Sequence, residues 1–240
     1  MTAVLVRSIE RFLLPNVCIV CEQLMPPDAP DGLLCGVCAT RLRALPAGGC
    51  ARCAQPLPPV GPCRFCSEWP AAMAAAHSGV WLDEPARTVV HRFKYGGFHA
   101  LGAALAHVVS RRVPWPSEGL VVPIPLGARR LRERGYNQSA ILGRALADTW
   151  KRPMATHLLR RVRETATQTT LTPDARRANV DQAFAAGPGH GAQTIILIDD
   201  VLTTGATLGA AARALSDAGW GVVRAVTFAR ALPYDIAAST

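Results

Sequence analysis

The stretch IILIDDVLTTGATL, residues 195–208, decides the fold of this chain. Its first four residues are apolar and β-favouring, as in a strand that is buried on both faces of a parallel sheet. Two adjacent acids, Asp199 and Asp200, follow at the point where we expect the strand to end. Small residues then open a helix. The sequence therefore predicts a strand–loop–helix unit with two carboxylates at its bend.

The loop of this unit has the composition of an anion site. Its residues are Thr203, Thr204, Gly205, Ala206 and Thr207. The free N–H groups at a helix N-terminus bind phosphate, and glycine lets the backbone approach the ligand closely. The neighbouring carboxylates suit the vicinal hydroxyls of a ribose, so the unit favours a sugar phosphate. Helix capping alone explains one such residue, but not two acids, three threonines and a glycine.

Strands and helices alternate on both sides of this unit. Apolar runs predict further strands at 79–82, 119–126 and 221–230, and helical periodicity predicts helices at 85–97, 98–113, 136–150 and 204–219. Alternation of this kind is typical of a parallel α/β sheet flanked by helices. In such sheets ligands bind at the carboxyl ends of the strands, which directs attention to the loops after VVPIP and IILIDD.

The eight cysteines lie before residue 67 and form four CxxC pairs. The pairs are Cys18/Cys21, Cys35/Cys38, Cys50/Cys53 and Cys63/Cys66. Two CxxC turns complete a tetrahedral four-thiolate site, so the sequence predicts two structural Zn²⁺ sites. Disulfides do not suit a reducing compartment, and iron–sulfur clusters use other spacings. Sequential and interleaved pairing both satisfy the pattern.

Positive charge is concentrated in the middle of the chain. The formal net charge is +9, and residues 129–177 hold twelve Arg or Lys against four Asp or Glu. An arginine-rich rim attracts an anionic ligand, although a solvated helix face is the alternative for any one arginine. Residues 1–78 hold six basic against five acidic residues, and metal-bound thiolates would make them net negative. We therefore favour folding and docking over zinc-ribbon DNA binding for this segment.

The opening residues 1–15 are too short and too charged to span a membrane, and they lack the pattern of a secretory signal. We therefore expect a cytoplasmic protein without membrane insertion. The sequence contains neither a Walker loop nor a G-x-S-x-G motif, so ATPase and hydrolase functions have no support.

The chain resembles the ComF family over nearly its whole length. Residues 195–208 look like the phosphoribosyl pyrophosphate (PRPP) motif of type I phosphoribosyltransferases, and the four CxxC pairs match the family's double zinc ribbon. The other matching segments are HRFKYGG at 91–97, VPIPLGARRLRERGYNQ at 122–138, R-x-T-x-x-Q from Arg163 to Gln168, and RRANVDQAF with Arg177, Asn179 and Phe184. This combination is much more specific than the PRPP motif alone.

The resemblance implies a role for each matching position. Asp199 and Asp200 would hold the ribose hydroxyls, and residues 203–207 would hold the 5′-phosphate. The loop after VVPIP would receive pyrophosphate, with help from Arg129, Arg132 or Arg134, and Lys94 would be an extra phosphate contact. Residues 163–182 would form a mobile loop over the reaction centre.

The resemblance also implies two domains, a helix and double zinc ribbon over residues 1–70 and a phosphoribosyltransferase-like domain over residues 71–240. It implies an enzyme that transfers a phosphoribosyl group from PRPP with Mg²⁺ to an unidentified acceptor. The alternative is a non-catalytic protein that senses PRPP or binds single-stranded DNA beside a helicase during DNA uptake. The sequence supports anion binding but does not choose between these alternatives.

Overall fold

The structure, a computed structural model, describes most of the chain. The described residues are 17–25, 33–56, 61, 63–114, 118–163, 182–189, 191 and 193–231. Of the segment 163–182, which the resemblance identifies as a mobile loop, only Arg163 and Gln182 fall within these ranges. Arg177 and Asn179 lie outside the described residues.

The described elements follow the alternating order that the sequence predicts. The helices are α1 (Gly36–Arg41), α2 (Glu84–Tyr95), α3 (Leu101–Arg112), α4 (Ala128–Arg134), α5 (Gln138–Trp150) and α6 (Ala206–Asp217). The strands are β1 (Met73–Trp81), β2 (Leu120–Pro123), β3 (Leu159–Arg161), β4 (Phe184–Ala186), β5 (Ile195–Leu202) and β6 (Val223–Arg230). Asp83 caps α2, and Asn137 caps α5, each by accepting a backbone N–H in the first turn.

Four strands form a parallel sheet in the order β1–β6–β5–β2. The central strand β5 pairs with β6 on one side and with β2 on the other, and its four isoleucine and leucine residues at 195–198 are fully buried. This arrangement confirms the predicted α/β fold. The carboxyl end of β2 lies beside Ile198, the residue of β5 that precedes the two acids, since Pro123 pairs with Ile198.

Helices and cysteine clusters cover both faces of the sheet. One face packs against α2, α3, α5 and the first cysteine cluster (Cys18, Cys21, Cys35 and Cys38). The other face packs against α6 and the second cysteine cluster (Cys50, Cys53, Cys63 and Cys66). The clusters therefore contact opposite faces of the same sheet, and the domain boundary at residue 70 stays a prediction.

The structure corrects the predicted position of the first strand. The sequence predicts a linker that leads into a strand at 79–82, whereas β1 begins at Met73 and runs for nine residues. The run of small alanines carries little hydrophobic signal, but it pairs with β6 from Met73 onward. A short antiparallel pair, β3 with β4, was not predicted either. Among the helices of the described ranges, none has the length and apolarity needed to cross a bilayer.

Candidate functional site

The two acids lie within β5 and not at its end, which corrects the position expected from the sequence. The strand continues through Val201 and Leu202, both of which pair with β6. Both acids contact helices on one face of the sheet, Asp199 through Ser139 of α5 and Asp200 through Lys94 of α2. They lie in the second half of the strand, next to the residue that pairs with the carboxyl end of β2. Each acid consequently has its own set of neighbours.

Asp199 is held by α5 and by its own strand. Its Oδ1 accepts hydrogen bonds from Ser139 Oγ at 2.9 Å and from the backbone N–H of Asp200 at 2.9 Å. Burial, and next the charge of Asp200, raise the pKa of the Asp199 carboxyl to about 7, while Lys94 and Ser139 oppose the rise. The carboxyl can therefore gain or lose a proton near neutral pH.

This raised pKa predicts a stability change with pH. Between the ordinary pKa of 3.8 and about 7, the folded state binds a proton that the unfolded state has lost, so stability falls as pH rises through that window. Asp199→Asn keeps the shape and the acceptor oxygen but cannot ionise. We expect it to stabilise the fold by on the order of 2 kcal/mol above about pH 7 and to change little near pH 4. Thermal unfolding across this range measures the difference; equal stabilisation at every pH would exclude titration of Asp199 as its cause.

Asp200 is almost fully buried and faces the last turn of α2. Lys94 Nζ lies 3.0 Å from Asp200 Oδ2, and the two side chains are 23% and 6% exposed. Within the described residues, Asp200 Oδ2 makes no hydrogen bond of good geometry, so the contact is an ion pair only. Lys94, which the resemblance implies as a phosphate contact, is thus placed beside the acids. A carboxylate oxygen in this state retains the capacity to accept a hydroxyl hydrogen bond.

The loop after β5 leads into the N-terminus of α6. Gly205 is the N-cap residue and has φ of +80°, a left-handed conformation that glycine adopts without strain. Gly205 has no side chain with which to cap the helix. Thr204 Oγ1 accepts a weak hydrogen bond from Ala206 N at 3.3 Å. The first N–H groups of this twelve-residue helix thus face the end of the sheet, in the arrangement that favours an anion.

The loop after β2 runs alongside Asp199. Ile124 N donates to Ile198 O at 2.9 Å, which fixes the loop to β5. Asn137 Nδ2 donates to Ile124 O at 2.9 Å, and Asn137 Oδ1 accepts from Ser139 N at 3.0 Å. Asn137 and Ser139 therefore orient Asp199, although the sequence did not single them out. The signal that could have found them is the Asn-x-Ser start of α5, which is typical of a capped helix.

The three arginines proposed for pyrophosphate lie on α4 and differ in placement. Arg129 and Arg132 are exposed, and Arg129 Nε lies 3.8 Å from Glu133 Oε1 on the same helix. Arg134 is half-buried and donates to Gln138 Oε1 at 3.0 Å and to Tyr95 Oη at 3.1 Å. Because Tyr95 follows Lys94, the structure brings Arg134 close to the Lys94 end of α2 and leaves the other two arginines on the outer surface.

The cysteines form two compact four-thiol clusters, which selects sequential over interleaved pairing. Within each cluster all four Sγ atoms lie within 4.8 Å of one another. The closest pairs are Cys21 and Cys35 at 3.8 Å, Cys50 and Cys66 at 3.7 Å, and Cys53 and Cys63 at 3.6 Å. A tetrahedral ZnS₄ centre with bonds of about 2.3 Å has S–S separations of about 3.8 Å. Both clusters therefore have the donor atoms and the spacing of a structural zinc site.

The chain is similar to curated relatives along most of its length. It is 30% identical over 226 residues to the DNA utilization protein YhgH of Salmonella typhimurium, which covers 91% of this chain and 98% of the relative. It is 27% identical over 209 residues to Competence protein F of Haemophilus influenzae, an alignment that covers 80% of this chain and 84% of the relative. It is 27% identical over 224 residues to Competence protein ComFC of Bacillus subtilis, an alignment that covers 85% of this chain and 90% of the relative.

No protein-family profile matches the sequence. The alignments with the relatives nevertheless cover at least four fifths of this chain. The fold, the two four-thiol clusters and this similarity lead to the same conclusion. The chain belongs to the ComF family of competence and DNA utilization proteins.

Proposed function

We propose that this chain binds PRPP and transfers its phosphoribosyl group to an acceptor. The observation that carries the proposal is the continuous unit in which Asp199 and Asp200 lie near the carboxyl end of β5, which leads through Gly205 into the N-terminus of α6. Carboxylates bind vicinal hydroxyls, and helix N-termini bind phosphate. PRPP carries both groups on one ribose.

In this proposal each group of the site has a separate task. The amides and hydroxyls of residues 203–207 hold the 5′-phosphate, and the two acids hold the ribose hydroxyls. Lys94 turns from Asp200 toward the pyrophosphate when the ribose takes over Asp200 Oδ2. The bond from ribose C1 to pyrophosphate then breaks, its electron pair leaves on pyrophosphate, and a nucleophilic atom of the acceptor bonds to C1 and releases its proton to the departing pyrophosphate. The protein acts through position and charge, without a nucleophile of its own.

We propose that Zn²⁺ occupies both cysteine clusters and that Mg²⁺ arrives with PRPP. Among the described residues, only the two cysteine clusters bring three or more metal-ligating side chains together. Mg²⁺ prefers oxygen ligands and often binds through substrate phosphates, where it neutralises the charge of the leaving pyrophosphate. The closed four-thiolate sites leave no open coordination position, so their role is structural.

Isothermal titration calorimetry tests the binding step. PRPP with Mg²⁺ should bind the full-length protein saturably and at one molecule per chain, and ribose 5-phosphate should compete for the site. Catalysis is tested separately by release of pyrophosphate in the presence of candidate acceptors. Absence of binding heat at several temperatures would reject the proposal, whereas binding without turnover would identify a PRPP sensor.

The second candidate function is binding of single-stranded DNA, and Tyr95 favours it. The Tyr95 side chain is 63% exposed, and the Arg134 guanidinium carbon lies 4.8 Å from its ring centre. The His91 ring lies 5.1 Å away on the same helix. A groove of about 520 Å³ runs along this side of α2, lined by Arg87, His91, Arg92 and Tyr95 among others. Exposed aromatic rings beside arginines stack nucleic acid bases.

The names of the relatives, competence and DNA utilization proteins, support a role in DNA uptake. We therefore propose that the protein acts in the cytoplasm, where it would meet an incoming single strand and a helicase. PRPP and a DNA strand would occupy adjoining surfaces, because Lys94 faces Asp200 while Tyr95 faces outward from the same turn of α2.

The DNA surface yields a testable prediction. Tyr95→Ala should weaken binding of a fluorescent oligothymidylate by about tenfold, because one base loses its stacking surface. Tyr95→Phe keeps the ring and should bind almost as wild type does. Fluorescence anisotropy at low and high salt gives both numbers, and affinity should fall steeply with salt. Equal affinity of the Ala variant, or binding that does not depend on salt, would reject Tyr95 as a base platform.

A further inference from the structure

The second cysteine cluster reaches the anion loop through one tryptophan. Trp69 follows Cys66 by three residues, is 8% exposed, and packs within the same core as the cluster. Its Nε1 donates to Thr204 O at 3.3 Å across 135 residues of sequence. A side chain that emerges from the second cluster thus contacts the backbone of the loop proposed to bind the 5′-phosphate.

The contact is close as well as polar. A Cβ on Gly205 would lie 2.5 Å from Trp69 Nε1 and 2.7 Å from Trp69 Cε2, which no real side chain can occupy. The indole therefore occupies the space of a Gly205 side chain, and the loop backbone rests directly on it. The contact continues along the helix, since a Cβ on Gly209 would lie 3.4 Å from Pro70 Cδ.

Trp69 is itself fixed by the second cluster. Arg52, which lies between Cys50 and Cys53, donates hydrogen bonds to the backbone carbonyls of Cys66, Trp69, Pro70 and Met73, at 2.8 to 3.3 Å. Its guanidinium carbon lies 5.7 Å from the centre of the Trp69 ring, and Phe65 packs edge-on against the same ring at 5.7 Å. The indole is thus held in one orientation by residues whose own positions depend on the cluster.

We propose that the second cysteine cluster positions the anion loop and that Trp69 is the positioning residue. Loss of metal from this cluster would release Arg52 and Trp69, and the backbone of Thr204 and Gly205 would lose its support. The first cluster packs with α2 and α3 on the opposite face of the sheet and makes no such contact in the described part of the chain. The identity of the ligand that the loop holds rests on the proposed function; the positioning itself does not.

Amide hydrogen exchange in the full-length, ligand-free protein tests the positioning. In Trp69→Ala, exchange at 204–209 should accelerate by at least about tenfold at the amides of Ala206 and Gly209, which donate to Thr204 Oγ1 and Gly205 O, because the loop that carries both acceptors loses a hydrogen bond and a buried contact. Trp69→Phe retains a flat ring and should restore most of the protection. Trp220→Phe is the matched control, since Trp220 is equally buried and donates to Gly187 O at 2.9 Å away from the loop.

Two cysteine variants extend the same measurement to the clusters. Cys66→Ser should accelerate exchange at 204–209, whereas Cys35→Ser, in the first cluster, should leave these amides unchanged. Metal analysis of Trp69→Ala should still give about two zinc ions per chain, which separates loss of the tryptophan from loss of the metal. Unchanged exchange at 204–209 in Trp69→Ala would overturn the proposal even if Cys66→Ser fails to fold.

Binding of PRPP tests whether the position of the loop affects ligand affinity. If the wild type binds PRPP, Trp69→Ala should bind it about tenfold more weakly and Trp69→Phe should recover most of the affinity. Unchanged affinity in a variant with a loosened loop would overturn the link between positioning and binding. If the wild type does not bind PRPP, the proposed function fails, and the exchange measurement alone decides whether Trp69 positions the loop.

Discussion

Replacing both Asp199 and Asp200 with Asn should weaken PRPP binding by at least about 100-fold while the fold is retained. Each carboxylate would accept a charge-assisted hydrogen bond from a ribose hydroxyl, and a bond to a charged group contributes about 1.5–3 kcal/mol. Asn has the same shape and keeps the acceptor for Ser139, but it lacks the charge and presents an N–H₂ group to the ligand. Calorimetry with PRPP and Mg²⁺ measures the loss.

A matched control separates the site from general charge. Asp217→Asn removes an exposed acid at the far end of α6 and should leave PRPP affinity unchanged. Pyrophosphate has no ribose, so its weaker binding should survive the double replacement. If the double variant bound PRPP as tightly as the wild type does, the acids would have no part in the site.

Arg230→Ala should have the largest effect on stability, about 3–5 kcal/mol, because it leaves buried partners without a donor. Arg230 ends β6, is 0% exposed, and lies across the second cysteine cluster. It donates to Cys53 O and to Gln55 Oε1, and its guanidinium carbon lies 4.3 Å from the centre of the Phe65 ring. Its positive charge balances the thiolates of Cys53 and its partners, and those thiolates oppose the lowering of the Arg230 pKa by burial.

The Arg230 prediction has a control on the same strand. Arg224 is exposed on β6, so Arg224→Ala should change the melting temperature by a degree or two at most, as expected for a surface site. Arg230→Ala should lower the melting temperature by roughly 10 °C and reduce bound zinc from about two ions per chain toward one. Retention of both metals and of the wild-type melting temperature would show that Arg230 does not support the second cluster.

Local patterns in the sequence predicted most of the architecture. The apolar run at 195–198 and the periodic helices that surround it reveal the parallel sheet, because burial on both faces demands such runs. Cysteine spacing predicted two four-thiol sites, and the structure selects sequential pairing. The end of β5 was predicted too early, at the two acids, because aspartate is uncommon in strands and its appearance suggested a strand end. Pairing of Val201 and Leu202 with β6 overrides that preference.

Contacts between distant parts of the chain could not be predicted in this way. Trp69 precedes the segment predicted as a linker, and Arg230 is the last residue of a predicted strand, so the sequence singled out neither of them. Their roles come from neighbours 135 and 177 residues away, which no local pattern encodes. The pairing of Lys94 with Asp200 and of Ser139 with Asp199 likewise depends on how α2 and α5 pack on the sheet.

Charge counting located a basic segment but did not distinguish between its residues. It predicted a basic surface in the middle of the chain, but all arginines of α4 contributed equally to that count. The helix turns Arg129 and Arg132 outward and brings Arg134 onto Tyr95, a distinction set by the 3.6-residue period and by the adjacent end of α2. Composition therefore predicted the basic surface, and the packing of α4 against α2 distinguishes Arg134 from the other arginines.

A crystal structure of the complex with PRPP and Mg²⁺ tests the central claim most directly. We expect the 5′-phosphate against the amides of residues 204–207, and both ribose hydroxyls within about 3 Å of the carboxylates of Asp199 and Asp200. We also expect Lys94 to have moved from Asp200 to a phosphate oxygen. An empty loop in crystals where the ligand is bound elsewhere, with Asp199 still on Ser139 and Asp200 still on Lys94, would contradict the account.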